Sequence, residues 1–394
     1  MSIKNKENLD TQEKEPNFTF TFLILGIVLA VPFGSVSLSF DFFNQYFYEK
    51  SAFYIPNAYF PVILLTTFWN LKYGERYFVF NKIRFNLTMI LIMNSSIIAM
   101  IYLVEGIQGF YSLFVLCIIM AMNNGVFSPS SFGLASVISP AYLTSLSLGT
   151  VIGGTLFFFV RLLFNLIAGP NKDIYALRTG VTILYIFGIC MVLLAKKLIE
   201  DMAKNDYIKE KIKASDSNNK VNSDNDKKSS IFEIFSNIKY SALSVFLITT
   251  ASFSVFPAII IKPAKGDSNT ILILIGSNQI FGAVGVFISK SYKFFSEKQV
   301  LILCLIRYIC VFIAILLCTG FETSYLSNYT INLLNCLALS FSHGYLWTCA
   351  MVFAPTNLKN EDKQKGGFLM STLTSLGMTM GTIVVALIGY FNIV

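Results

Sequence analysis

The chain has 394 residues, of which 55% are hydrophobic and 13% charged, and its mean hydropathy is +0.64. Soluble domains carry about a quarter charged residues, so this composition excludes a disordered chain and argues against an ordinary soluble enzyme. The net charge of +8 is not a nucleic-acid signature, because the lysines form no stripe interleaved with aromatics and fall between long apolar runs instead. Aromatic residues reach 15%, as suits rings placed at lipid and headgroup levels.

A membrane-crossing helix needs roughly 20 apolar residues. In chain order such runs cover 18–40, 52–71, 85–104, 109–137, 141–168 and 176–195, then, after a polar stretch, 240–261, 271–289, 300–319, 331–354 and 368–388. They predict an all-α polytopic membrane protein of about eleven spans, six before the polar stretch and five after it. The runs lack the period-2 alternation of membrane strands, whose open edges would leave backbone groups unpaired in lipid. The boundary between the fourth and fifth spans, around Pro140, is the least distinct.

The positive charges orient the chain. With the N-terminus in the cytoplasm, 23 of the 30 Lys and Arg fall on the cytoplasmic side and 5 on the other, while Arg161 and Arg307 lie within spans. The N-terminus is therefore expected inside and the C-terminus outside. The first span is too long for a signal-peptide core and shows no cleavage site, so it is expected to remain as a helix. The stretch 204–230 is rich in Lys, Asp, Asn and Ser and cannot bury a core. The organisation expected is a cytoplasmic tail (1–17), a six-helix bundle (18–199), a flexible cytoplasmic linker (200–239) and a five-helix bundle (240–394).

Inside the membrane, polar residues are costly and tend to mark function. No carboxylate stands at the centre of a span, with Asp41 and Glu105 the nearest, so passive transport fits better than an ion-driven pump. Arg161 is expected to reach an interface by snorkelling. Arg307, close to mid-span, is expected to gate or pack, bonded to carbonyls or to Asn and Ser of neighbouring helices, with substrate contact as the lesser alternative. His343, the only histidine, reads as a helix-packing hydrogen-bond partner. A catalytic base of an intramembrane acyltransferase is the competing reading. The seven cysteines sit in apolar runs without a CxxC pair, so neither a disulfide framework nor a zinc site is expected. Small residues at Gly149-Thr-Val-Ile-Gly153 and Gly377-Met-Thr-Met-Gly381 let helices approach closely, and prolines within or at the ends of spans invite bends.

Several of these strings resemble the equilibrative nucleoside transporter family. They are Ser131-Phe-Gly-Leu-Ala135 followed by Pro140-Ala-Tyr142 and Gly149; Phe256-Pro-Ala-Ile259 at the end of the seventh span; Arg307-Tyr308 in the ninth; and Phe341-Ser-His-Gly-Tyr-Leu346 in the tenth, where the family has Asn in place of His. Pro355, Gly366, Gly377 and Gly381 match the glycine placing around the last helix. The resemblance covers nearly the whole chain, with five motifs in the family's order.

This sequence also departs from the family. Pro32-Phe33-Gly34 stands where the family has Pro-Trp-Asn, keeping a ring and losing an amide. Ser128 falls near a family glutamine. The eighth-helix pattern Asp-x-x-Gly-Arg, whose charged pair is thought to bind ribose hydroxyls, aligns on Gly282-Ala-Val-Gly285-Val286, so both charges are absent.

The resemblance implies a 6 + 5 architecture similar to the major-facilitator fold and a facilitative carrier of nucleosides or nucleobases, working by alternating access in the lipid bilayer, with the plasma membrane as the default location. Phe33 would stack the base, Ser128, Asn278 and Gln279 would offer hydrogen bonds, and Pro257 would shape the seventh helix. Gly149, Gly285, Arg307 and His343 would have gating or structural roles. The partner is a small-molecule substrate, with no nucleic acid, cofactor or metal. Another facilitator-type carrier, for sugars or drugs, is the alternative, although Lys72-Tyr-Gly-Glu-Arg76 hardly fits that group's loop signature.

Overall fold

The computed structural model describes residues 17–73, 79–169, 173–212, 230–256, 259, 268–291, 294–318, 329–359 and 362–390. In order these form α1 (Thr19–Ser37), α2 (Phe40–Tyr46), α3 (Ser51–Tyr73), α4 (Val79–Leu103), α5 (Gly106–Ile138), α6 (Pro140–Ala168), α7 (Ile174–Lys204), α8 (Ile231–Asn237), α9 (Lys239–Phe253), α10 (Ser268–Ser291), α11 (Glu297–Ile306), α12 (Tyr308–Cys318), α13 (Tyr329–Thr356) and α14 (Lys363–Tyr390). No strand occurs among the described residues, and each of the eleven expected spans falls on a helix. Among the described residues nine spans are long and apolar enough to cross a membrane, and a tenth is if α8 and α9, bent by 87° at their junction, count as one. The remaining helix, α3, has the length at 23 residues but is less apolar, with Asn57 and Asn70 interspersed.

Local chemistry sets the boundaries. Ser139 alone separates α5 from α6: its backbone is extended, its Oγ accepts from the Ala141 N–H, and Pro140 takes the first helical position, where its missing N–H is harmless. Asp173 caps α7 in the same way, accepting from Ala176 N–H at 2.7 Å. Gly169 ends α6 with φ +78°, a left-handed conformation that costs glycine little. The single run expected over 300–319 is two helices meeting at Arg307.

Two expectations change. Arg161 does not snorkel: it is fully buried on α6 and bonds Asp41 on α2 at 2.7 Å. Room for its guanidinium comes from Gly180 on α7, where a Cβ would overlap Nη1. In the stretch taken as a linker, 206–212 is helical and packs Ile208 and Ile212 into the core. The expected linker is helical also at 200–204, the end of α7, and at 231–237, which is α8, while 213–229 lies outside the described residues, as does most of the tail.

Glycine contacts hold the helix pairs that frame the centre. Gly26 on α1 meets Gly149 on α6 so closely that a Cβ on either would overlap the other helix's backbone. Gly285 and Gly344 play the same part between α10 and α13, and Gly377 and Gly381 between α14 and α9. Small residues permit the close packing that replaces hydrophobic attraction in lipid. Gly149 and Gly285 thus stand where two helices touch.

Candidate substrate cavity

Helices from both halves of the chain enclose a cavity of about 240 Å³. From the first half come Phe33 and Ser37 on α1, Tyr59 and Phe60 on α3, Asn124 on α5, and Thr150 and Gly154 on α6. The second half contributes Thr249, Ser252 and Phe253 from α9, then Asn278, Gln279 and Gly282 from α10. It also contributes Ser340, His343 and Trp347 from α13, and Thr374 and Met378 from α14. Spacings of three and four residues, as in Ser340, His343 and Trp347, put each set on one helix face. None of the described lining residues is an Asp, Glu, Lys or Arg.

One wall is aromatic. The Phe33 ring lies 4.7 Å from Phe60 and 5.3 Å from Tyr59 between centroids, and Phe60 in turn meets Phe253 edge-on at 4.7 Å. Thr379 on α14 ties this wall down by donating to the Phe60 carbonyl at 3.0 Å. Pro32 on α1 has no N–H to give, which loosens the helix beside Phe33.

Hydrogen-bond accounting divides the polar lining. The hydroxyls of Thr150, Thr249 and Thr374 donate to carbonyls one turn back, leaving only lone pairs for a ligand. Asn124 Nδ2 lies 3.5 Å from the Tyr59 hydroxyl, and its Oδ1 has no protein partner. Asn278 bonds Ser340. The Gln279 amide lies against Gly154, where a Cβ would displace it.

Arg307 stands behind this surface, 4% exposed. It donates to Ser342 Oγ at 2.8 Å, Ile248 O at 3.0 Å, Ser252 Oγ at 2.8 Å and Leu339 O at 2.8 Å. Four bonds tie it to α9 and α13, through carbonyls and serines of neighbouring helices. Ser252 also meets His343 Nδ1 at 2.8 Å, and the imidazole lies nearly parallel to Trp347.

Of the expected substrate contacts, Phe33, Asn278 and Gln279 line the cavity. Ser128 does not: its Oγ faces Ser371 on α14 at 3.3 Å. Asn124, one turn earlier on α5, occupies the lining instead. Pro257 lies outside the described residues. His343 makes the expected interhelical bond and also borders the cavity. Sequence reasoning missed Tyr59, Asn124, Ser252 and Trp347. The usable signal was polar side chains in mid-span, such as Asn123-Asn124 in α5 and Thr249 to Ser252 in α9. Among the described residues no three His, Cys, Asp or Glu side chains converge as metal ligands.

The sequence profile of the nucleoside transporter family matches residues 113–390. The chain belongs to the nucleoside transporter family. No curated protein matches it by sequence. Among solved structures, the proton:xylose symporter XylE of the major facilitator superfamily, bound to 6-bromo-6-deoxy-D-glucose, is similar with a TM-score of 0.65 and 12% identity over 95% of this chain and 89% of that one. The E. coli fucose:proton symporter FucP gives 0.58 and 14%, covering 95% and 91%. A bacterial homologue of the iron transporter ferroportin in an outward-facing state gives 0.59 and 11%, covering 96% and 94%. At these identities the likeness is one of fold. This nucleoside transporter family member is an all-α, multi-pass membrane transporter with a fold like that of the major-facilitator proteins.

Proposed function

We propose that the chain is a facilitative carrier of nucleosides or nucleobases, with the central cavity opened alternately to each side as the two halves, 18–199 and 240–394, rock against each other. The observation that carries this reading is the lining: rings, amides and hydroxyls without a formal charge. A neutral, flat, polar heterocycle matches such a surface, since rings offer stacking area and amides offer both donors and acceptors. Phe33 provides the stacking face, and Asn124, Asn278 and Gln279 the polar contacts. Without the eighth-helix charge pair, ribose is held by neutral groups only.

With no carboxylate among the described lining residues, none of them offers the side chain that proton- or sodium-driven carriers commonly use, and transport runs down the substrate gradient. The charge count favours a cytoplasmic N-terminus and an extracellular C-terminus, in the plasma membrane. The acyltransferase reading is weak because a catalytic base needs a lone pair facing the substrate and an oriented ring. Nδ1 of His343 meets Ser252, itself held by Arg307, and no carboxylate among the described residues stands against the imidazole to orient and activate it as a base.

Uptake of labelled adenosine, hypoxanthine, glucose and xylose into proteoliposomes containing the purified protein tests the proposal. Adenosine or hypoxanthine should enter without an imposed ion gradient and stop at equal concentrations. Sugar entry without purine entry, or severalfold accumulation driven by a proton gradient, would overturn it.

A further inference from the structure

Ser252 on α9 is met from two other helices. Arg307 Nη2 and His343 Nδ1 each lie 2.8 Å from its Oγ. A guanidinium has only protons to give, so Ser252 Oγ accepts from Arg307. Among the described residues no hydrogen bond runs from Ser252 Oγ to the carbonyl one turn back, Ile248 O, which receives Arg307 Nη1 at 3.0 Å. The Ser252 proton therefore goes to the lone pair of Nδ1. If Nδ1 carried the hydrogen instead, the oxygen would receive two donors and its own proton would point at nothing. A doubly protonated ring would set two cations on one hydroxyl, in a cavity without a carboxylate to balance them.

From this proton accounting we infer that His343 is locked as the neutral Nε2–H tautomer and acts as a specificity-determining donor at the cavity wall. Nε2 has no protein partner among the described residues, and the imidazole borders the cavity. A donor that cannot turn into an acceptor selects a substrate with a lone pair at that point, such as the keto oxygen of an oxopurine or of a pyrimidine. It discriminates against an amino group there, because two donors then face each other unpaired. The asparagine that the family carries at this position can rotate its amide and offer either character. The Arg307–Ser252 relay removes that choice from the imidazole. The inference rests on the carrier reading for its substrate class and on geometry alone for the tautomer.

The chain has a single histidine, so protein labelled with ¹⁵N-histidine gives one imidazole to assign. At neutral pH the spectrum should show a bare Nδ1 and a protonated Nε2. Ser252→Ala should release the lock into a mixture of tautomers. A protonated Nδ1 in the wild type overturns the inference outright, whether or not any variant folds.

Competition supplies the functional arm. Hypoxanthine should outcompete purine, which lacks the keto oxygen, and adenine, which carries an amino group, by about tenfold. His343→Phe, which keeps a ring and removes the donor, should shrink that preference to within roughly threefold. An unchanged preference in a folded His343→Phe protein overturns the assignment of the donor. If the wild type binds no purine at all, the carrier reading and the substrate class named here both fall, while the tautomer is still judged by the spectrum.

Discussion

Arg161 and Asp41 form a 2.7 Å ion pair with side-chain exposures of 0% and 5%, joining α6 to the short helix that follows α1. Nε and Nη1 of the arginine have no partner, so the pair is held in apolar surroundings with part of its hydrogen-bonding capacity unmet.

Breaking such a pair strands a charge, which typically costs about 3–5 kcal/mol, whereas replacing both partners by apolar groups is often neutral. Asp41→Asn should therefore lower the thermal unfolding midpoint in detergent sharply. Arg161→Met combined with Asp41→Leu should recover most of the loss. A double variant no more stable than Asp41→Asn would mean that the charges themselves hold the fold.

The glycines differ sharply in what surrounds them. A Cβ at Gly285 would overlap the Phe341 carbonyl, while one at Gly34 meets nothing within 4 Å. Gly285→Val should drive α10 away from α13 and abolish folded protein, as read by size-exclusion elution. Gly34→Ala should elute normally and gain stability, since alanine is about 1 kcal/mol better than glycine within a helix.

Asn124 and Ser128 stand one turn apart on α5, and only Asn124 lines the cavity. Asn124→Ala should weaken substrate binding about tenfold, by removing an amide from the lining. Ser128→Ala, which removes a hydroxyl facing Ser371, should leave the apparent affinity within roughly twofold. Equal losses would place the binding surface one turn further along the helix.

Position 282 on α10 borders the cavity, where an added Cβ would make ordinary contact with Val151 Cγ1 at 3.5 Å and Ser340 O at 3.8 Å, whereas Val286 is fully buried. With both charges of the family pattern absent, 2′- and 3′-deoxy analogues should compete within roughly tenfold of the parent nucleoside. A Cβ fits at 282, but Gly282→Asp leaves an unpaired carboxylate, and Val286→Arg buries an unpaired cation, so each alone should impair transport. A hundredfold rejection of deoxy analogues by the wild type would move ribose recognition away from this helix.

Much of the architecture was legible without coordinates. Apolar runs of helical length, separated by charged turns, leave a chain in lipid no alternative to helices, because every backbone group must be satisfied within its own segment. The glycine patterns at 149–153 and 377–381 announced close helix contacts, though not with which helix. Phe33, Asn278 and Gln279 could be nominated because a ring and two amides within apolar spans are conspicuous.

Phase and partner were not legible. A span read as a run of letters says that Asn124 and Ser128 share a helix face. It does not say which turn meets the cavity and which meets α14. Arg161 looked like a residue that would stretch towards water, because its partner lies 120 residues away and its space is made by a glycine on a third helix. His343 looked like a packing residue for the same reason. Its proton is placed by a serine on α9, and that serine is in turn occupied by an arginine at the junction of α11 and α12. Composition and periodicity are properties of single segments, and they determined that the chain crosses the membrane as helices. Which lone pairs and protons remain for a substrate is a property of contacts between segments, and only the tertiary packing decided that.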